Sequence, residues 1–550
     1  MTRSVGYTRR STRLLCLALA MGFLVASCGG DDDDGTSADQ DGSTGSDAVD
    51  PNGVLRVGMT LTAGGNAPRL DFRLQQSTPN NHWLRMFYAP ILTYTPSTNE
   101  YTPYLAESVE PTDPRTVEVV LRDEAVFDDG RPVTSEDAKA SVEAMQANLA
   151  SGAAPGLNAA IQRIESVEVV DEKTYRIHLT EDGLGVIFEL LSSVEGYVAP
   201  ADAGAAQNEH PVGNGPFKFA SYEPGQALVL ERSDTFFDKD NVRLAGLEFV
   251  DLVDGTPQAN AVLAGDIDMT AGAGGGLTPS NTAALEGGDG IEVVTFVDGT
   301  NVTYVDLCKA EGFPFEDQEV RQALYYGTDR EAMNEALFQG QGLPASQIWP
   351  EGSPNYSEDV AEEYAYDVDK AKDLLADAGY EDGMTVDLLI ADRLPEWSTA
   401  GLVLQQQWEE LGVEVNIVPS SDVVADWQRP SQDPATLDVD ATVVNNTRAG
   451  TQKLSRLFTP GLASVPCGFS DDQLLSDIAA VQAVPADDPS AIETWKDAAA
   501  YVADNGYIIP LAFPPSITAY NSDRVGDVTQ DTIGHVAVGN RFDQLFIKAS

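Results

Sequence analysis

YAPILTYTPSTNEYTPYLAESVEPTDPRTVEVVLRDEAVFDDGRPVTSEDAKASVE occupies residues 88–143. Within it, TVEVVLR (116–122) alternates apolar and polar residues, the period-2 pattern of a half-buried strand. Asp129-Gly130, with Pro132 close behind, is turn chemistry: glycine tolerates positive φ and proline fixes its own. Thr134-Ser135-Glu136-Asp137 then offers an N-terminal cap and an acidic first turn to a helix expected over 135–149.

Working outward, the same logic organises the rest. VLRVGM (54–59) suits a buried first strand. IESVEVVDEKTYRIHL (164–179) reads as a hairpin, and residues 215–232 read as another with Glu223-Pro224-Gly225 as the turn. LEFVDLV (247–253) is a strand. Helices are expected over 317–338, 367–378, 397–411 and 489–504, the third ending at Gly412 before the strand VEVNIV. Strands alternating with helices in the second half imply an α/β layer arrangement, mixed with α+β hairpins in the first half. A chain of 550 residues implies more than one lobe.

Before residue 54 the chain is of another kind. Arg3, Arg9, Arg10 and Arg13 precede an apolar run over 14–26, too short to cross a bilayer of roughly 30 Å. That is the form of a secretory signal. Arg9-Arg10 is a twin-arginine pair, but Thr12 stands where such signals carry a bulky apolar residue, so the general secretory route is the reading. Val25-Ala26-Ser27-Cys28 resembles a lipobox, which implies lipid on Cys28, cleavage before it and removal of 1–27. Ordinary signal cleavage beside an incidental cysteine is the alternative. Residues 28–53 then form an acidic linker whose charge and low hydrophobicity keep it from ordering. As a random coil its two dozen residues reach on the order of 25–30 Å.

Without residues 1–27 the chain carries 29 basic and 87 acidic residues, a net −58. Such a surface repels nucleic acid and anionic headgroups. Cys308 and Cys467 are the cysteines left besides Cys28. In an oxidising compartment pairing is the default, worth at most roughly 4–5 kcal/mol of chain entropy for so long a loop. Two buried free thiols are the alternative.

Four segments, in one order, carry a resemblance. They are residues 88–143 with the core FDDGRPVTSED; PVGNGPFKFASYEPGQALVLERSDTFF (211–237) with ANAVLAGDIDM (259–269); FPFEDQEVRQALYYGTDREAMNEALFQGQGLPASQ (313–347); and YDVDKAKDLLADAGYEDG (366–383). Together they resemble the family 5 extracellular solute-binding proteins of bacterial ABC importers, the peptide/nickel/opine group, from residue 54 onward. The motif residues read as scaffold. Gly213-Asn214-Gly215-Pro216 punctuates the start of a strand, Arg321 and Asp329-Arg330 stabilise a helix and its end through ion pairs, and Tyr325-Tyr326 is core.

The resemblance implies a two-lobed, periplasmic-binding-protein-like clamshell of type II, cluster C. Lobe I is built from 54–86, 212–300 and 510–550, with a subdomain over 87–211 inserted in it. Lobe II spans 301–509, which places Cys308 and Cys467 in one rigid body and favours their pairing. The implied protein is no enzyme and needs no cofactor. It is a monomer, lipid-anchored on the extracytoplasmic face of the cell membrane, that hands a peptide-like or other small solute to an ABC permease and its ATPase.

Peptide-binding relatives carry a Gly/Trp segment and then an acid late in lobe II. Here the corresponding strand leads into Asn445-Asn446-Thr447-Arg448, whose amides and guanidinium suit carbonyls, hydroxyls or a carboxylate. The same arginine also reads as the partner of a neighbouring acid. Trp83, Tyr304, Trp397 and Trp427 are candidate aromatic platforms, with Glu195 and Tyr197 as further candidates. Each also reads as core. Sugars, opines and anionic amphiphiles stay open as ligands, and a solute-sensing lipoprotein stays open as the role. His82, His178, His210 and His535 are not spaced as a metal-ligand pair. The calcium-loop look of residues 238–249 fails at Arg243 and Phe249. Hydrolase and phosphate-loop motifs are absent from the sequence.

Overall fold

The computed structural model describes residues 48–61, 68–75, 81–95, 98, 100–154, 158–272, 276–297, 299–392, 395–421, 423–428, 439–447, 451–459, 469–533 and 539–549. Cys28, Arg448, Cys467 and His535 lie outside them.

The chain enters through β1 (Val54–Met59), whose Leu55, Val57 and Met59 are buried as VLRVGM predicts. An antiparallel pair follows, β2 (Leu92–Thr95) with β3 (Glu100–Pro103). Next come β4 (Ala106–Asp113), β5 (Thr116–Leu121), β6 (Ile164–Val169) and β7 (Thr174–Leu179), a four-stranded sheet in the order β4-β5-β7-β6. The chain then returns to β1 with β8 (Phe217–Glu223), β9 (Ala227–Arg232), β10 (Gly246–Asp251), β11 (Met269–Thr270) and β12 (Ile291–Phe296). It crosses to a second sheet made of β13 (Asn301–Leu307), β14 (Leu343–Pro344), β15 (Met384–Ala391), β16 (Val413–Ser420), β17 (Ala441–Thr447) and β18 (Ile508–Phe513). It crosses back into β19 (Ser516–Asn521) and ends with the short pair β20 (Val525–Gly526) and β21 (Phe546–Ile547).

Two large sheets result, ordered β12-β19-β11-β1-β10-β9-β8 and β14-β18-β13-β17-β15-β16. Each anchors one lobe of a two-lobed clamshell. The core of the first, with Leu55 and Val57, runs unbroken into the inserted sheet at Val117 and Val119. The second lobe has its own core around Val305, Trp408 and Leu511. The crossings lie side by side, because β12 pairs with β19 and β13 with β18. One crossing includes Gly299 at φ 67°. The other is Pro514-Pro515, whose rings fix both φ angles near −65°. The return therefore comes after Phe513 and not at residue 510, because β18 is a central strand of the second sheet, buried along its whole length.

The motif residues hold the scaffold. Thr134 and Asp137 form the reciprocal capping box of the helix Ser135–Ala150. Gly213 and Gly215 lie against the end of the helix Asn81–Phe87, where an added Cβ would stand 2.1 Å and 2.5 Å from backbone atoms of Phe87. Arg321 and Arg330 act otherwise than the sequence predicts. Among the described residues neither makes an ion pair. Arg321 donates to the carbonyls of Phe315, Glu316 and Asn505, and Arg330 to those of Pro510, Thr328 and Tyr325. Both guanidiniums are buried where carbonyls at helix ends and, at Pro510, at an irregular point in the pairing of β18 with β13 need donors. The helix expected over 317–338 is two helices, Gln318–Tyr326 and Arg330–Phe338. A Cβ on Gly327 would meet Leu411 Cδ1 at 2.3 Å, and Asp329 recaps the chain by accepting from Ala332 N–H.

Asp128 joins the signature turn to the returning chain. It accepts from Gly213 N–H at 3.1 Å and from Ser233 Oγ at 3.1 Å. Those bonds favour the carboxylate, yet burial outweighs them and pushes its pKa up to about 7. A raised folded-state pKa means the stability it contributes is present at low pH and is lost as pH rises from the usual carboxylate range through about 7. Asp128→Asn keeps the bond to Gly213 and removes the titration. The variant should gain on the parent by on the order of 2–4 kcal/mol between about pH 5 and about pH 8 in urea unfolding. A constant difference across that range would contradict the buried-charge account.

Candidate functional site

A cavity of ≈ 240 Å³ lies where the two crossings meet the lobes. From the first lobe Leu277, Thr278 and Pro279 reach it, at the start of the helix Pro279–Leu285. Pro514 and Pro515 form the wall between the lobes. The second lobe supplies the rest: Asn301 and Thr303 of β13, Asn445 of β17, Leu337 and Phe338 at a helix end, and Glu396 and Trp397 in the first turn of the helix Pro395–Glu409.

The strand pleat decides which side chains arrive. Thr303 and Asn445 are register partners, and Asn301 sits two residues from Thr303 on the same face. Val302 and Tyr304 therefore point the other way, into the core. Asn446 does too: it is 1% exposed and donates to Lys453 O at 3.0 Å. Two adjacent residues of one strand cannot both face a ligand, so the pair Asn445-Asn446 splits.

Of the predicted aromatics, Trp397 lines the cavity. Trp83, Tyr304 and Trp427 do not, being 0%, 0% and 2% exposed. Trp427 instead donates its indole N–H to Asp306 Oδ2 at 3.0 Å. Glu195 and Tyr197 belong to the inserted subdomain. Glu195 accepts from Asn158 N–H and Ser193 Oγ, and Tyr197 stacks on Tyr88 at 5.7 Å. Cys308 is buried at the end of β13.

Glu396 is the residue that sequence reasoning missed. Its place in a helix's first turn explains an acid there by the helix dipole alone. Yet it is the charged side chain among the described residues lining the cavity, and it makes no ion pair or hydrogen bond among them. In a chain with 87 acidic residues an acid beside Trp397 carries little signal from sequence. The Pro-Pro pair between two strands was the readable clue to where the cavity sits. Among the described residues, no group of three His, Cys, Asp or Glu is gathered to hold a metal ion.

The profile of the bacterial extracellular solute-binding proteins, family 5, matches residues 100–448. The chain belongs to that family, whose members serve ABC transporters. It is 30% identical over 269 residues to Heme-binding protein A of Haemophilus influenzae, covering 46% of this chain and 47% of that one. It is 28% identical over 275 residues to Di/tripeptide-binding protein 1 of Pseudomonas aeruginosa, covering 48% and 49%. The chain thus spans about half the length of the curated relatives it matches. The fold matches the substrate-binding protein CtaP of Listeria monocytogenes with a TM-score of 0.76 at 21% identity, over 90% of this chain and 100% of that one. No helix among the described residues is long and apolar enough to cross a membrane.

Proposed function

We propose that this protein captures a compact, cation-bearing solute between its lobes and delivers it to a membrane permease. The observation that carries the reading is the unpaired Glu396 carboxylate in the cavity at the crossings. An ammonium or guanidinium beside Glu396 forms a charge-assisted hydrogen bond. Thr303 and Asn445 offer hydrogen bonds to carbonyls or hydroxyls, and Trp397, Leu337 and Phe338 offer an apolar wall. A volume of ≈ 240 Å³ falls below the about 300–1,000 Å³ of pockets for drug-sized ligands. That supports a solute of short-peptide size over a macrocycle.

The lobes are taken as 54–86, 212–300 and 514–550 for the first, with 87–211 inserted, and 301–513 for the second. Ligand drives closure by its extra contacts in the closed form. Moving the population from about 1% to about 99% closed takes roughly 5.5 kcal/mol of preference. The protein performs no chemistry. Lipid on Cys28 holds it at the extracytoplasmic face of the membrane, and a Cys308–Cys467 bridge staples the second lobe without restraining the crossings. Native mass spectrometry of the protein isolated from its own membrane tests this reading. The expected result is one small amine- or guanidine-bearing molecule per chain and a diacylglyceryl mass on residue 28. A purely anionic bound molecule would contradict the site, and an unmodified Cys28 the anchor.

A further inference from the structure

Among the buried polar atoms of the first lobe that have no hydrogen-bond partner among the described residues are His82 Nε2, Asn540 Oδ1, Thr518 Oγ1 and Ser516 Oγ. Their residues are 0%, 0%, 1% and 8% exposed. Folded proteins leave few such atoms unpaired, because each carries the full cost of leaving water.

Their residues gather around two consecutive positions, Ala271 and Gly272. Asn540 N–H donates to His82 Nδ1 at 3.2 Å, and Asn540 Nδ2 donates to Ala271 O. At the next residue, Gly272, an added Cβ would lie 2.3 Å from Thr518 Oγ1 and 3.5 Å from Ser516 Oγ. Gly272 has φ 68°, so glycine lets the backbone close over both hydroxyls. Ser516 directly follows Pro515 of the cavity wall.

The chemistry on offer is neutral and complementary. Because His82 Nδ1 accepts, its ring proton sits on Nε2, which is a donor. Burial pushes the His82 pKa down to about 4, so the ring is uncharged near neutral pH. Asn540 Oδ1 is an acceptor, and the two hydroxyls serve either way. We propose that His82, Asn540, Thr518 and Ser516 form a buried hydrogen-bonding site on the first lobe for a small neutral group, the amide or hydroxyl of a bound solute or an ordered water. Water is the source if the site is structural; a solute group is the source if the site is the first lobe's share of recognition, and only that second source rests on the solute-binding reading.

The test uses the full folded protein. Thr518→Val keeps the shape and removes the hydroxyl. With a guest in place the variant loses a hydrogen bond, and the unfolding midpoint drops by about 1–3 °C. Ser516→Ala gives the same sign. If the hydroxyls are idle, both variants remove an unpaired buried group, the midpoints hold or rise, and the proposal is overturned. A high-resolution crystal structure separates the sources. Ordered water within hydrogen-bond distance of His82 Nε2 or Thr518 Oγ1, kept after soaking with short peptides, identifies water. Replacement of that water by a peptide group identifies the solute. No density at the cluster in either state overturns the site. Failure of the solute-binding reading shows differently: no peptide stabilises the protein, while Thr518→Val still lowers the midpoint.

Discussion

Lys309→Met is expected to lower the unfolding free energy by about 3–5 kcal/mol. Lys309 and Asp306 form a buried ion pair at the end of β13, 3.7 Å apart, with side chains 4% and 2% exposed. Burial alone would neutralise both groups. It holds the Lys309 pKa down at about 8 and raises that of Asp306, each partly opposed by the other's charge. Lys309 Nζ also donates to Leu307 O at 2.8 Å and Tyr507 O at 3.1 Å and sits 4.8 Å from the Phe469 ring centre. Asp306 accepts from Trp427 and from Leu307 N–H. Removing the lysine strands a carboxylate in the core. Removing both charges, in Asp306→Asn with Lys309→Met, keeps the acceptor for Trp427 and should recover most of the loss. Urea unfolding of the parent, the single variant and the double variant measures it. A single variant within about 1 kcal/mol of the parent would refute the strong coupling argued for this pair. The pair matters to function because it pins β13, whose Asn301 and Thr303 line the cavity.

Glu396→Gln is expected to weaken binding of an amine-bearing solute by on the order of 10- to 100-fold, the worth of a hydrogen bond to a charged partner. The loss should shrink as salt rises, because charge attraction is screened. Stability should fall by less than about 1 kcal/mol, the loss of an acid at a helix start. Calorimetric titration of parent and variant reads the affinity. Equal affinities would place Glu396 in the helix alone and remove the positive pole from the proposed ligand.

Much of the fold was legible because its signals are local. The hairpin expected over 164–179 is β6 and β7, paired Val167 to Ile177. The turn Glu223-Pro224-Gly225 joins β8 to β9, with Gly225 at φ 71°. Where an outcome rests on packing from elsewhere, the chain does not announce it. The apolar period over 317–338 runs through Gly327, and the close approach of Leu411 that leaves no room for a side chain there comes from far along the chain. Lobe boundaries behave alike: residue 510 is an ordinary point in an apolar run until β18 is seen paired with β13 on one side and β14 on the other.

The site was less legible. Tryptophans attract notice as platforms, but large rings are also what cores need, and Trp83 and Trp427 went there. On sequence alone the strand ends before Asn445, so the pleat that separates Asn445 from Asn446 emerges only with β17 running on to Thr447. Glu396 was not legible, because one acid among 87 has no pattern to stand out from. It acquires meaning only when the start of its helix is seen to line the same cavity as Asn445.

The most direct test of a cation-bearing solute held between the lobes is thermal unfolding against a panel of short peptides and small amines, each paired with its N-acetylated form. At about 100 times its dissociation constant a true ligand adds about 2.7 kcal/mol of stability. At least one free amine should raise the midpoint, and its acetylated partner should not. Equal stabilisation by both forms, or none by any member of the panel, would contradict a cation-bearing solute.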